Sequence, residues 1–313
     1  MENLSGIVTK STGNDYFVRL PDGRRVECKA RGRFKIEGIK STNPLAVGDH
    51  VVLQIAEGHK TGLIIDIEER KNYIIRKSKK LSKQYHVIAA NLDQALLIVS
   101  LKDPMTPFGF IDRFLVTCEA YRIPVKIIVN KNDLNSSIPE KAARFKKIYT
   151  DAGYECHFIS AFDEKDAVAF GNLLKGKTTL LSGNSGVGKS TLINAIEPDL
   201  NLKTTDLSRL YKKGRHTTTF AEMFELAIGA FVIDTPGIRE FGLSEFSPEE
   251  ITHFFPEMFR LLPHCRFHNC RHLQEPDCAV LRALEEEKIS QTRYISYINI
   301  INNAEEDIEE EFD

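Results

Sequence analysis

The chain has 313 residues, 42% of them hydrophobic and 27% charged, with a formal net charge of −2. That length supports two or three domains with cores large enough to fold without staples, and the composition is that of an ordinary soluble globular protein. No apolar run approaches the ~18–20 residues of a membrane span and the first residues carry no secretory pattern, so a cytoplasmic monomer with no membrane partner is expected. The six cysteines then read as free thiols or metal ligands rather than a disulfide framework.

Over residues 1–69, five short β-rich runs are predicted: Gly6–Thr9, Tyr16–Leu20, Arg25–Ala30, His50–Ala56 and Thr61–Ile67. Turn signals such as Pro21-Asp22-Gly23 and Val47-Gly48-Asp49 separate them, and little helical periodicity intervenes. This is the pattern of a small Greek-key barrel of the oligonucleotide-binding (OB) type. Arg24, Arg25, Lys29, Arg31, Arg33 and Lys35 could give it a basic face for RNA, with Tyr16 or Phe34 for stacking. The alternative is a solvated surface. A basic linker is expected over 70–89: from Arg70 to Lys83 there are seven Lys/Arg, among them Lys77, Lys79 and Lys80, and no acid. That density resembles an electrostatic footprint for phosphates.

Residues 90–243 alternate strand and helix, the pattern of a doubly wound α/β domain with ligand loops at the carboxyl ends of its strands. The strand Val125–Val129 runs into Asn130-Lys131-Asn132-Asp133, and a later strand is followed by Ser160-Ala161. N-K-x-D resembles the guanine-recognition element of GTPases, in which the Asp carboxylate accepts from N1–H and the 2-amino group of guanine. Adenine offers neither donor, and charged hydrogen bonds are worth roughly 1.5–3 kcal/mol each, so Asp133 would select guanine. Asn130 and Lys131 would brace base and phosphate loop, and the Ser160-Ala161 backbone would meet O6.

The strand Thr178–Ser182 and the helix Lys189–Ile196 flank Gly183-Asn184-Ser185-Gly186-Val187-Gly188-Lys189-Ser190. This is the G-x-x-x-x-G-K-S spacing of a phosphate-binding loop. Its glycines let backbone N–H groups converge on phosphates, and the following helix adds the positive end of its dipole. Lys189 would reach the β- and γ-phosphates, Ser190 would ligate Mg²⁺, and Ser182 and Thr191 border the loop. Downstream, Asp234-Thr235-Pro236-Gly237 supplies a D-x-x-G element: Asp234 for Mg²⁺ through water, Gly237 N–H for the γ-phosphate. Gly214-Arg215-His216-Thr217-Thr218-Thr219 lies where a first switch belongs, with Thr217 or Thr218 closing over Mg²⁺. The same threonines could equally begin the strand Thr219–Leu226. Ile238 stands where many GTPases place a water-orienting Gln, so another group must act. His216 is the nearest candidate, the alternative being a contact to a partner. The order of these elements is a circular permutation: base recognition precedes the phosphate loop.

Residues 244–313 start with Ser247-Pro248-Glu249-Glu250, a helix start with Ser as cap and Pro at the first position. Then come Cys265, Cys270, His272 and Cys278 in the spacing C-x4-C-x-H-x5-C, which fits one structural Zn²⁺ with no open position. Spacing alone leaves His264 and His268 as rival ligands. Helical stretches over Ala279–Glu287 and Gln291–Ile301 follow, then an acidic tail with seven acids from Glu305 to Asp313. Cys28, Cys118 and Cys156 stand alone and read as core residues.

With G-R-H-T-T-T, D-T-P-G-I and C-x4-C-x-H-x5-C-A-V together and in this order, the sequence resembles the circularly permuted YjeQ/RsgA family, the small-subunit-dependent GTPases. The resemblance runs from about Gly6 to Ile301. It implies GTP hydrolysis stimulated by the small ribosomal subunit during late maturation of that subunit, with rRNA gripped by barrel and zinc domain. It also implies Cys265, Cys270, His272 and Cys278 as zinc ligands and His216 as the hydrolytic group. A GTP-dependent RNA-binding module whose hydrolysis is incidental is the alternative, and an ATPase a third.

Overall fold

The computed structural model describes residues 3–13, 15–30, 44–56, 58–77, 85–198, 221–234, 243 and 246–302, with Arg76, Lys77, Tyr85 and Asp234 by backbone alone. It opens with β1 (Asn3–Ser11), β2 (Asp15–Arg19), β3 (Arg25–Ala30), β4 (His50–Ile55) and β5 (Thr61–Ile67). β1 pairs antiparallel with both β2 and β4, β2 with β3, and β4 with β5, while β3 lies parallel to β5, so the sheet closes on itself. The result fits an OB-type barrel. Alternation sets the inside: in β3, Val26 and Cys28 are buried between exposed Arg25, Glu27 and Lys29. Val8, Val18, Val51, Leu53 and Ile64 fill the interior, each contributing roughly 1.5–3 kcal/mol by burial. Gly62 has to be small there, because a Cβ would stand 2.8 Å from Cys28 Sγ and 2.9 Å from Leu53 Cδ1.

The expected linker over 70–89 instead carries a hairpin, β6 (Tyr73–Lys77) antiparallel to β7 (Tyr85–Ala90). Ile74, Ile75, Val87 and Ala89 are buried, an apolar pattern that the abundance of Lys and Arg obscures in the sequence. Two of the linker cations are engaged within the protein. The Arg70 side chain is largely covered, its Nε and Nη2 each donating at 2.6 Å to the carboxylate of buried Asp49. Lys71 pairs with Asp93.

Strands and helices then alternate: β8 (Gln94–Val99), α1 (Phe108–Ala120), β9 (Val125–Val129), the single turn α2 (Asn132–Asn135), α3 (Pro139–Ala152) and β10 (Glu155–Phe158). After them come α4 (Glu164–Leu174), β11 (Thr178–Ser182), α5 (Lys189–Ile196), β12 (Glu222–Leu226) and β13 (Ala230–Asp234). β8 is buried along its whole length, as a central strand covered on both faces must be. Pro139 starts α3, and Gly153, at φ +108°, ends it by accepting the left-handed conformation that a side chain resists.

The chain divides into two compact units, Met1–Ala95 with Val168–Ser182 and Ser190–Phe241, and Leu96–Ala167 with Gly183–Lys189 and Gly242–Asp313. In the first, β11 pairs parallel with β13, and β13 antiparallel with β12. β12 also meets the barrel: Lys10 of β1 is in register with Glu222 and pairs with it at 3.1 Å. Beside it, Arg19 forks onto Glu225 at 2.6 and 2.5 Å and lies 5.4 Å above the Phe231 ring. In the second unit, β9 and β10 run parallel.

The second unit also holds α6 (Pro248–Ile251), α7 (Pro256–Phe259), α8 (Ala279–Glu285) and α9 (Gln291–Ile301). Ser247 caps α6 in a full capping box with Glu250. A 3-10 turn over Thr252–Phe254 follows it, and Phe255 is extended ahead of Pro256, which begins α7. Ile251, Phe255, Met258, Val280 and Tyr297 form a core with Val116 of α1. Among the described residues no helix is long and apolar enough to cross a membrane. Burial raises the Cys28 thiol to about 11 and that of Cys156 to about 12, far from reactive thiolates.

Candidate guanine-nucleotide site and metal centre

The loop between β11 and α5 depends on glycine at two ends. Gly183 has φ +150°, and a Cβ on it would lie 2.2 Å from the Ile98 carbonyl oxygen. Gly188 has φ +96°, and its Cβ would meet Asn130 Nδ2 at 2.3 Å. Asn130 sits against the loop in this way because its Nδ2 donates to the Val187 carbonyl at 2.8 Å. The asparagine that opens the N-K-x-D element thus bonds to the backbone of the glycine-rich loop. Lys189 curls over the same loop, Nζ donating to the carbonyls of Gly183 at 2.6 Å and Asn184 at 3.0 Å. Ser185 and Gly186 are exposed at its crown and Val187 is buried beneath. Lys131 differs from the expectation: left-handed at φ +60°, it directs Nζ to the carbonyl of Asp103 rather than to the phosphate loop.

At the carboxyl ends of β9 and β10, backbone bonds draw two loops together. Asn132 N donates to Ile159 O at 3.0 Å, and Ile159 N to Val129 O at 2.9 Å. Asp133 is exposed, and one of its oxygens accepts from the Ser160 hydroxyl at 2.7 Å. Ser160 N in turn donates to Asp166 of α4 at 2.7 Å. The second unit therefore gathers Asn130, Asp133, Ser160, Ala161 and the loop 183–189. Asp133 thus keeps an exposed carboxylate that is anchored to Ser160.

The other residues belong to the first unit or lie outside the described ones. Ser182 ends β11 and is buried, as is Ser190 at the start of α5, with half-buried Thr191 next to it. Asp234 ends β13 with its backbone in register with Leu181 of β11. His216, Thr217, Thr218 and Gly237 lie outside the described residues.

The ligand atoms of Cys265, Cys270, His272 and Cys278 all lie within 4.8 Å of one another. His264 and His268, open by spacing alone, are not in the group and are exposed. His272 presents Nδ1, 3.3 Å from Cys278 Sγ and 3.8 Å from Cys265 Sγ. Burial lowers this imidazole to about 4, leaving it a neutral donor, and raises the Cys270 thiol to about 12. Two buried thiols, the half-buried one of Cys265 and a buried imidazole gathered this closely fit tetrahedral Zn²⁺, whose charge would favour the thiolates. The loop is held from outside: Glu275 accepts N–H bonds from Arg271 at 2.8 Å and Leu273 at 2.7 Å. From α9, the hydroxyls of Tyr294 and Tyr297 donate to the carbonyls of His272 at 2.7 Å and Arg271 at 2.8 Å.

Of the cations expected to meet RNA, Arg24 is exposed but paired with Asp22 at 2.7 Å, and Arg25 is exposed at the start of β3. Lys77 ends β6, its side chain outside the description, and Arg31, Arg33, Lys79 and Lys80 lie outside the described residues. Sequence reasoning missed Asp166, although an acid in the first turn of a helix is a recognisable signal.

Comparison with known proteins agrees with this geometry. The family model for the RsgA GTPase matches residues 67–244, and that for the RsgA N-terminal domain residues 5–64. A protein of Phocaeicola vulgatus named "Small ribosomal subunit biogenesis GTPase RsgA" is 50% identical over 304 residues, covering 97% of this chain and 98% of its own. One of that name from Christiangramia forsetii is 51% identical, covering 97% of each chain. Among solved structures, YjeQ from Thermotoga maritima superposes with a TM-score of 0.77 at 31% identity, over 97% of this chain and 99% of that one. YloQ, described as a circularly permuted GTPase, gives 0.72 at 30% identity, over 97% and 95%. With its phosphate loop, its permuted order and these matches over nearly its whole length, the chain belongs to the RsgA GTPase family.

Proposed function

We propose that this protein is a GTPase of small ribosomal subunit biogenesis: it binds the subunit, is stimulated by it to hydrolyse GTP, and is released on hydrolysis. The observation that supports the reading is that Asn130 bonds to the loop 183–189 and Ser160 to Asp133, in a chain about half identical to proteins bearing that name. GTP or GDP is its nucleotide. Mg²⁺ would be held by Ser190, by Asp234 through water, and by Thr217 or Thr218. Lys189 would reach the β- and γ-phosphates, and His216 would orient the attacking water in place of a glutamine. One Zn²⁺ on Cys265, Cys270, His272 and Cys278 would have a structural role. The protein acts as a cytoplasmic monomer, and Arg24, Arg25, Arg31, Arg33, Lys77, Lys79 and Lys80 are candidates for rRNA contact.

Steady-state GTP hydrolysis with and without purified small subunits tests the reading. Subunits should raise turnover strongly in the wild type. His216→Ala should retain GTP affinity while losing about 10²-fold or more of the stimulated rate, the usual scale for a positioned catalytic group. An unstimulated wild type contradicts the enzyme reading, and an unchanged His216→Ala rate removes that residue from the reaction.

A further inference from the structure

The start of α4 spends its charges in an unusual way. Asp163 caps the helix, Oδ1 accepting from Lys165 N at 2.9 Å and Asp166 N at 3.2 Å. In a capping box the acid three residues on, here Asp166, would take the N–H of the cap residue. Instead that N–H goes to the Ser160 carbonyl at 3.0 Å, and Asp166 Oδ2 takes Ser160 N at 2.7 Å. The Asp166 carboxylate, in the first turn of the helix, is therefore turned onto the loop that follows β10. Ser160 is 7% exposed, so its backbone N–H depends on a protein partner. Its hydroxyl donates at 2.7 Å to Oδ1 of Asp133, whose residue is exposed.

We infer that Asp166 is a positioning residue for base specificity: by holding Ser160 N–H it fixes the Ser160 hydroxyl, which sets the orientation of the Asp133 carboxylate, and it aims Ala161 N–H at the base. The inference rests on the guanine reading of Asp133. Two charge-assisted bonds in series join α4 to the acceptor of the guanine 2-amino group. Such bonds are short and directional, so releasing the first lets the second swing.

The test is calorimetric titration of the full chain with GDP and with inosine diphosphate, which lacks the 2-amino group. Asp166→Ala should weaken GDP binding about tenfold, the loss expected when one charged hydrogen bond goes, and bring the GDP-to-inosine-diphosphate ratio toward one. General loosening would weaken both nucleotides alike and leave the ratio intact, which would overturn the proposal. Asp166→Asn keeps an oxygen acceptor and should give an intermediate ratio. A wild-type ratio in Asp166→Asn together with a wild-type ratio or an unfolded chain in Asp166→Ala also overturns it. Adding Asp166→Ala to Ser160→Ala should change the ratio no further, and an additive fall refutes the route through Ser160. Asp133→Asn separates the two levels. It should abolish the GDP preference whatever Asp166 does, and if it does not, the guanine reading itself fails.

Discussion

Arg293→Ala should lower the unfolding free energy of the second unit by about 3–5 kcal/mol in urea titration, the usual result of stripping one partner from a buried ion cluster. Arg293 on α9 is 1% exposed. Its Nη1 donates to Asp112 of α1 at 2.8 Å, and its Nε and Nη2 to Glu257 of α7 at 2.7 and 3.2 Å. The guanidinium also lies 4.6 Å from the centre of the Phe255 ring. Burial works against its charge, and Glu257 and Asp112 overcome that, so its pKa stands above the ordinary arginine value. Burial meanwhile raises Asp112, whose Oδ1 also accepts from Tyr149 at 2.9 Å. Removing the cation leaves two carboxylates facing each other in an apolar setting. Domain stabilities total about 5–15 kcal/mol, so the loss is a large share. Replacing all three groups by apolar side chains of similar volume should restore most of it. Tyr294, the next residue, and Tyr297 hold the carbonyls of the cysteine loop. With the Zn²⁺ proposed for that loop, Arg293→Ala should therefore also speed metal transfer to a chromogenic chelator, and an unchanged release rate would show that Arg293 does not steady that loop.

Gly188→Ala should weaken GDP binding by about 100-fold or more while leaving the melting temperature within a few degrees of wild type. A non-glycine residue at φ +96° carries backbone strain of about 1–3 kcal/mol. The added Cβ would also stand 2.3 Å from Asn130 Nδ2, the group that pins Val187 O. Either the loop opens or Asn130 leaves it, and both outcomes dismantle the phosphate cradle. Around 3 kcal/mol from the two effects corresponds to that 100-fold. Isothermal titration and thermal melting check it together. Normal GDP affinity would mean that the cradle tolerates a different backbone.

What could be read before the structure was local. β9, β11, α5 and α9 match the expected spans because each has a clean pattern and its own punctuation, such as Gly183 after β11. The glycine-rich loop and the Cys265–Cys270–His272–Cys278 cluster were legible because each lies within a few residues. The hairpin β6–β7 was not, since charge density masked its apolar pattern. Pairs distant in sequence were also hidden. Arg19 meets Glu225 across 206 positions and Arg293 meets Asp112 across 181, and no periodicity of either segment announces its partner. Arg70 shows the same limit from the other side: counted among phosphate-seeking cations, it is committed to Asp49.

The account turns on the guanine nucleotide controlling attachment to the small subunit, and co-sedimentation measures this most directly. Purified protein carrying a non-hydrolysable GTP analogue should pellet with small subunits, and protein carrying GDP should stay mostly in the supernatant. Equal retention of both forms, or none of either, would contradict the account.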